Sequence, residues 1–220
     1  MKLVLASGSQ RRRELLTMCG YDYEIIVSNA DETIDENDPE NFVRALSFRK
    51  AKDVFDRLFA AGRRDFAVIG SDTVVALQKE GGTKPVIIGK PKDAEDAVRI
   101  LSMLSGKTHR VFTGVSVIAD IPDENAAAQC SIREKEEIQT ECSITEVTFE
   151  TLSPDEITDY VNSGDPLDKA GSYGIQGPFG MFVREIRGNY FTVIGMPIPV
   201  LYKMLKKIGI LPHGFYECIE

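Results

Sequence analysis

Histidine is scarce in this 220-residue chain and cysteine nearly so: His109 and His213 are the two of the first, and Cys19, Cys130, Cys142 and Cys218 the four of the second. Two histidines exclude a His-rich metal centre and argue against a Ser-His-Asp triad. The cysteines are scattered with no Cys-x-x-Cys pair, which excludes a zinc knuckle and a dense disulfide frame and leaves plain thiols. Any metal must therefore be held by oxygen. No apolar run approaches the ~18 residues of a membrane span, and the opening Met1 to Ala6 is too short for the apolar part of a signal peptide, so a cytoplasmic protein with no membrane partner is expected. Positive charge is in deficit: 26 basic against 34 acidic side chains give a net charge of -8. Such a surface has no general attraction for a phosphate backbone, which excludes a coat for nucleic acid polymers. The acidity is local, since residues 31–40 alone carry six carboxylates and no basic residue.

The length fits one domain of two lobes, and the alternation of element signals predicts a mixed α/β fold. Lys2 to Ala6 reads as a buried strand, followed by the turn Ser7-Gly8-Ser9-Gln10 and a helix from Arg11 to Cys19. Tyr23 to Val27 reads as a second strand. Asp38-Pro39 supplies a cap and a first-turn proline for a long helix whose Phe42, Leu46, Val54, Phe55, Leu58 and Phe59 recur at helical spacing. Phe66 to Leu77 reads as a strand interrupted at Gly70-Ser71-Asp72-Thr73. Val86 to Ile88 follows as a strand, then a helix from Asp93 to Leu104. Arg110 to Ala119 and Thr140 to Glu150 alternate as long antiparallel strands, with residues 120–139 as an extended hairpin tip. Ser153-Pro154-Asp155-Glu156 is a capping box opening a helix to Val161. Two short strands are expected to flank Gly188-Asn189, Pro197 to Ile208 reads as a closing helix, and residues 209–220 form a tail.

Four places carry chemistry-bearing side chains. Arg11-Arg12-Arg13 follows a strand and a Ser-Gly-Ser turn, where backbone N–H groups and guanidinium forks converge on an anion; a solvated basic helix face is the competing arrangement. Three consecutive arginines cannot share one face, so one or two should meet the turn. Asp72 stands inside an apolar strand, where a charge costs several kcal/mol unless it is paired or metal-bound; a hydrogen-bonded structural aspartate is the alternative. Lys90, between Gly89 and Pro91 at a strand-to-helix turn, is a candidate phosphate contact. The run Asp168-Lys169-Ala170-Gly171-Ser172-Tyr173-Gly174-Ile175-Gln176-Gly177 combines glycines that admit close backbone approach with one amide, and reads either as a ligand wall or as an irregular surface loop. Gly106-Lys107-Thr108 is not a P-loop end, because that motif needs glycine where Leu101 stands. Gly174, Gly177 and Gly180 do not have dinucleotide-fingerprint spacing.

Taken together, these segments resemble the Maf family of nucleotide pyrophosphatases. The resemblance runs over nearly the whole chain, through Leu5 to Leu16, Ala30-Asp31-Glu32, Arg49-Lys50-Ala51, Gly70 to Val75, Gly89-Lys90-Pro91, Asp168 to Gly177 and Gly195-Met196-Pro197. It implies an inosine-triphosphatase-like fold, a mixed twisted sheet with flanking helices and two lobes around a cleft. It also implies hydrolysis of a nucleoside triphosphate to the monophosphate and diphosphate, with Mg²⁺ or Mn²⁺, and a homodimer. By motif, Asp72 matches the general base and a metal ligand, and Glu32 a second metal carboxylate. Ser7, Arg12 or Arg13, Lys50 and Lys90 match the triphosphate contacts, with Ser9 a further donor. Arg11, Thr73 and Gln176 resemble the branch acting on dTTP and UTP, as distinct from the 7-methyl-GTP branch. Thymine and uracil present O2, N3–H and O4, an edge that an amide plus a fixed arginine donor satisfies together. The competing functions are the same chemistry on purine nucleotides and a catalytically silent nucleotide sensor acting on division partners. Gln10 departs from the family's usual proline, and the 120–139 excursion is longer than expected.

Overall fold

The computed structural model describes residues 1–78, 81–82, 84–121 and 135–214. Among them, seven strands form one mixed sheet: β1 (Lys2–Leu5), β2 (Glu24–Ile25), β3 (Phe66–Gln78), β4 (Pro85–Ile88), β5 (Thr108–Ile121), β6 (Lys135–Phe149) and β7 (Val183–Arg187). Their order is β2-β1-β3-β5-β6-β7, with β4 also on β3. The helices are α1 (Gln10–Met18), α2 (Pro39–Ala60), α3 (Ala94–Leu104), α4 (Pro154–Asn162), α5 (Tyr190–Ile194) and α6 (Ile198–Lys207).

The long strand β3 makes the site possible. Its first residues, Phe66 to Ile69, pair in parallel with β1, and its last, Val75 to Gln78, pair antiparallel with β4. Both partners lie on one edge, because β5 occupies the other from Phe66 opposite Asp120 to Ala76 opposite Arg110. Between β1 and β4, residues 70–74 have no strand neighbour on that edge. The carboxyl ends of β1 and β4 both open onto this gap, which is where open α/β sheets bind ligands.

The interruption expected at Gly70 to Thr73 is therefore not present: pairing with β5 carries β3 straight through it. The glycine answers to packing. A side chain at Gly70 would overlap the Ser47 carbonyl oxygen, and one at Gly114, opposite Asp72, the Val43 carbonyl oxygen. Both carbonyls belong to α2, so the two glycines form a trough in which the helix lies against the sheet.

Alternation along β1 and β3 sorts the core. Leu5 and Ile69 face α1 and α6 with Leu16, Leu201 and Leu205, while Val4, Phe66 and Val68 face α2 with Val54 and Phe55. The far end of β3 packs Val75 and Leu77 against Leu101 and Leu104 of α3 and Ile157 of α4. Truncating any fully buried leucine here costs about 2–5 kcal/mol. Of the residues expected on the core side of α2, Leu46, Val54 and Phe55 are buried, and Phe42, Leu58 and Phe59 only half-buried.

Local chemistry explains most boundaries. The Asp38 carboxylate caps α2 by accepting from Asn41 N–H at 2.9 Å, and Ser153 with Glu156 closes the expected capping box on α4. Three expectations are corrected. The segment after Gly188-Asn189 is the helix α5, because the Asn189 side chain accepts from Phe191 and Thr192 N–H and caps it. The strands β5 and β6 reach further into the 120–139 excursion, with Asp120 opposite Glu136, and Asp120 also accepts from Asp65 N–H at 2.8 Å. Residues 122–134, the remainder of that tip, and 215–220 of the tail lie outside the described residues. Finally, β2 is two residues long. No described helix is long and apolar enough to cross a membrane.

Candidate active site

A cavity of about 990 Å³ occupies the gap along β3, lined by the Ser7 turn, α1, α2, β3, the exit of β4 and the glycine-rich loop. Its volume lies at the upper end of small-ligand sites, ~300–1,000 Å³. The loop closes over the gap through Gly171 N–H, which donates to the Gly89 carbonyl at 2.9 Å.

Asp72 sits at the midpoint of the unpaired edge, 8% exposed. Its Oδ1 is 2.6 Å from Lys50 Nζ, and the same ammonium is 3.0 Å from Glu32 Oε1. This resolves the buried charge: Asp72 is ion-paired, and among the described residues its Oδ2 has no hydrogen-bond partner. The triplet Arg49-Lys50-Ala51 divides three tasks. Arg49 Nη1 donates to the carbonyls of Thr33, at 2.9 Å, and Asp31, at 3.4 Å, and so fastens the acidic loop that carries Glu32. Lys50 enters the site, and Ala51 packs on the Gly70 trough.

Arg12 is the arginine anchored on all three of its nitrogens in the cavity. Its Nε donates to the Gly195 carbonyl at 2.8 Å, Nη1 to Ser7 Oγ at 3.1 Å and Nη2 to Thr73 Oγ1 at 3.4 Å. Burial pushes its pKa down from the usual arginine value, opposed by the charge of Asp72 and, more weakly, Glu32. A guanidinium so desolvated and fixed is a strong anion ligand. Ser7 Oγ also accepts from Ser9 N–H at 3.2 Å, so its own proton remains for an anion. Ser9 lines the same wall and caps α1 without a side-chain bond.

Thr73 belongs to the Arg12 anchor. Because Thr113 Oγ1 donates to the Thr192 carbonyl, Thr73 must donate to Thr113 and accept from Arg12. Arg13 is not brought to the cavity: one helical step of about 100° beyond Arg12, its Nη2 reaches Gln10 at 3.5 Å, and its buried Nε has no partner among the described residues. Gln10, in the usual proline position, opens α1 and bonds Glu14 at 2.9 Å. Lys90 lines the cavity, exposed and with no ion-pair partner among the described residues. Arg11 lines it too, its Nη1 bonded to Asp168 Oδ2 at 3.0 Å, and Gln176 is exposed on the facing loop.

Four lining or supporting residues had no role assigned from sequence: Gly195, Asp165, Asp168 and Lys169. Gly195, at φ +111°, holds the carbonyl on which Arg12 and Ser71 converge. The signal for it was the Gly-Met-Pro motif; for the other three it was an Asp-x-x-Asp-Lys spacing, which names no partner.

No group of three or more His, Cys, Asp or Glu poised for a metal occurs among the described residues. Two carboxylates, Asp72 and Glu32, do converge on one cationic point at Lys50. That set fits Mg²⁺ or Mn²⁺, which are held by one or two carboxylates together with substrate phosphate oxygens.

The fold and cleft define an α/β protein with an anchored, desolvated arginine beside a buried carboxylate. The family model described as Maf-like protein matches residues 2–208, and the chain belongs to that family. A relative from Bacillus thuringiensis subsp. konkukian, 42% identical over 95% of this chain and 96% of its own, is named dTTP/UTP pyrophosphatase. Relatives from Agathobacter rectalis, 40% identical over 95% of this chain and 98% of their own, and Lachnoclostridium phytofermentans, 42% identical over 95% and 96%, carry the same name. Among solved structures, the Staphylococcus aureus Ham1 protein aligns over 94% of this chain and 99% of its own, with 14% identity and a TM-score of 0.49.

Proposed function

We infer that the protein is a nucleoside triphosphate pyrophosphatase acting on dTTP and UTP, releasing the monophosphate and diphosphate. The observation that carries this reading is the placement of Asp72, buried at the midpoint of an unpaired strand edge and flanked by Lys50 and the anchored Arg12. Asp72 accepts a proton from water as the water oxygen bonds to the α-phosphorus, and the bond from that phosphorus to the bridging oxygen breaks. The electron pair leaves with the diphosphate. Arg12, Lys50 and Lys90 receive that growing negative charge, and Ser7 and Ser9 donate hydrogen bonds to the phosphate oxygens. Glu32 and Asp72 would hold a divalent cation, which would supply neutralisation of the phosphate charge. Its identity as Mg²⁺ or Mn²⁺ is read by restoring chelator-treated protein with each in turn.

The base is read at the other end of the cavity. Gln176 offers an amide donor and acceptor to the N3–H and one carbonyl of uracil or thymine, and Arg11 a fixed donor to the other carbonyl. Thr73, its hydroxyl committed to Arg12 and Thr113, serves the triphosphate anchor and leaves the base to Gln176 and Arg11. The point of attack is tested by turnover in ¹⁸O-water: the label should appear in UMP and not in the diphosphate. Label in the diphosphate, or UDP as product, would contradict attack at the α-phosphorus.

A further inference from the structure

Arg11 and Gln176 stand on separate segments, α1 and the glycine-rich loop, yet a single hydrogen-bonded chain ties both to α4. It begins at Tyr160, whose Oη donates to Asp165 Oδ2 at 2.5 Å and accepts from Gly174 N–H at 3.2 Å. Gly174 is two residues from Gln176. Lys169 Nζ bonds the Asp165 carbonyl at 2.6 Å, Asp165 Oδ1 at 2.9 Å and Asp168 Oδ1 at 2.9 Å. Asp168 Oδ2 then holds Arg11 Nη1 at 3.0 Å.

The proton count assigns Lys169. An ammonium has three donors, and all three are taken by Asp165 and Asp168, so Lys169 has none left for phosphate although it lines the cavity. It contrasts with Lys90, which has no such partner among the described residues. Arg11 is the opposite case: it has five N–H donors, and the bond to Asp168 takes one. The ion pair orients the guanidinium and leaves donors for a ligand. Gly174 belongs to the same device, since a side chain there would fall 2.6 Å from Lys169 Cε. Burial alone would raise the Asp165 carboxyl, but the bonds from Tyr160 and Lys169 together hold it below its ordinary value.

We propose that Tyr160 and Asp165 are positioning residues for base selection, setting Arg11 through Lys169 and Asp168, and Gln176 through the Gly174 amide, at one fixed separation. This rests on the reading that Arg11 and Gln176 contact the base. A glutamine amide flips to suit cytosine as readily as uracil, so rejection of cytosine requires a donor that does not move. The chain from Tyr160 to Arg11 supplies that fixity, and it touches none of the triphosphate contacts.

The test compares kcat/KM for UTP and CTP in Tyr160→Phe, which keeps the buried ring, and in Asp168→Asn, whose site is exposed and whose folding is not at risk. Both should keep kcat on UTP within about threefold and lower the UTP/CTP ratio about tenfold or more. Adding Asp168→Asn to Arg11→Ala should lower the ratio little further, because Asp168 reaches the base only through Arg11. An unchanged ratio in Asp168→Asn and Tyr160→Phe, while Arg11→Ala and Gln176→Ala lower it, would overturn the positioning role alone. If Arg11→Ala and Gln176→Ala also leave it unchanged, the base-reading assignment fails and the positioning role with it.

Discussion

Lys50 Nζ lies 2.6 Å from Asp72 Oδ1 and 3.0 Å from Glu32 Oε1, so one ammonium joins helix α2, strand β3 and the acidic loop. The contact depends on two glycines in the sheet. Without the trough at Gly70 and Gly114, α2 would stand off and Lys50 would not reach Asp72.

Gly70→Ala tests that dependence. The added methyl would overlap the Ser47 carbonyl, and α2 must shift to relieve it. Overpacking of this kind costs about 1–3 kcal/mol. The urea midpoint should fall accordingly, and kcat should fall as well because Lys50 moves with the helix. Full stability with full activity would remove the trough from the account.

Asp72→Asn should lower kcat about 10²–10⁴-fold, the usual contribution of a positioned general base. The amide fills the same space, so nucleotide affinity by calorimetry should remain measurable. Turnover equal to that of the unaltered protein would take Asp72 out of the mechanism.

Arg12 and Arg13 should separate cleanly. Arg12→Lys loses the fork that bonds Gly195, Ser7 and Thr73 at once, and kcat/KM should fall about a hundredfold. Arg13→Lys, outside the cavity, should stay within about threefold in kcat/KM. The reverse order would place the wrong arginine on the triphosphate.

Much of this site is legible in the sequence for identifiable reasons. A carboxylate in the apolar run Val68 to Val75 has few ways to be stable, so Asp72 declares itself. Asp38-Pro39 and the Ser153 to Glu156 box carry their own helix starts. Other features depend on information a local window does not hold. Which of Arg11, Arg12 and Arg13 enters the cavity follows from the helical phase of α1, and a one-residue uncertainty in its start exchanges them. Gly70 reads as a break in the strand because glycine serves both breaks and close packing, and only the path of α2 distinguishes them. Asn189 after glycine suits a hairpin and a helix cap equally; the cap won. The bonds from Tyr160 to Asp165 and Gly174 are tertiary choices that no spacing announces.

A pH effect on stability should trace to His109. Its ring is buried against Phe149, bonds Tyr173 Oη at 2.9 Å, and is held neutral by burial, its pKa pushed down from 6.5 to about 3. Between those values the unfolded chain binds a proton that the folded chain refuses, so stability falls as pH drops through 6.5, by up to about 1.4 kcal/mol per pH unit. In His109→Gln this contribution should vanish, flattening the urea midpoint between pH 6.5 and 4 relative to the unaltered protein. Parallel pH curves would show that His109 is not the source.

The central claim, a pyrimidine triphosphate split beside Asp72, is tested most directly by diphosphate release across a panel of nucleoside triphosphates in the presence of Mg²⁺ or Mn²⁺. UTP and dTTP should be cleaved with the highest kcat/KM, and CTP, ATP, GTP and 7-methyl-GTP at least about tenfold less well. Cleavage of 7-methyl-GTP with UTP and dTTP left intact would contradict the base assignment, and a panel left wholly intact would contradict the enzyme.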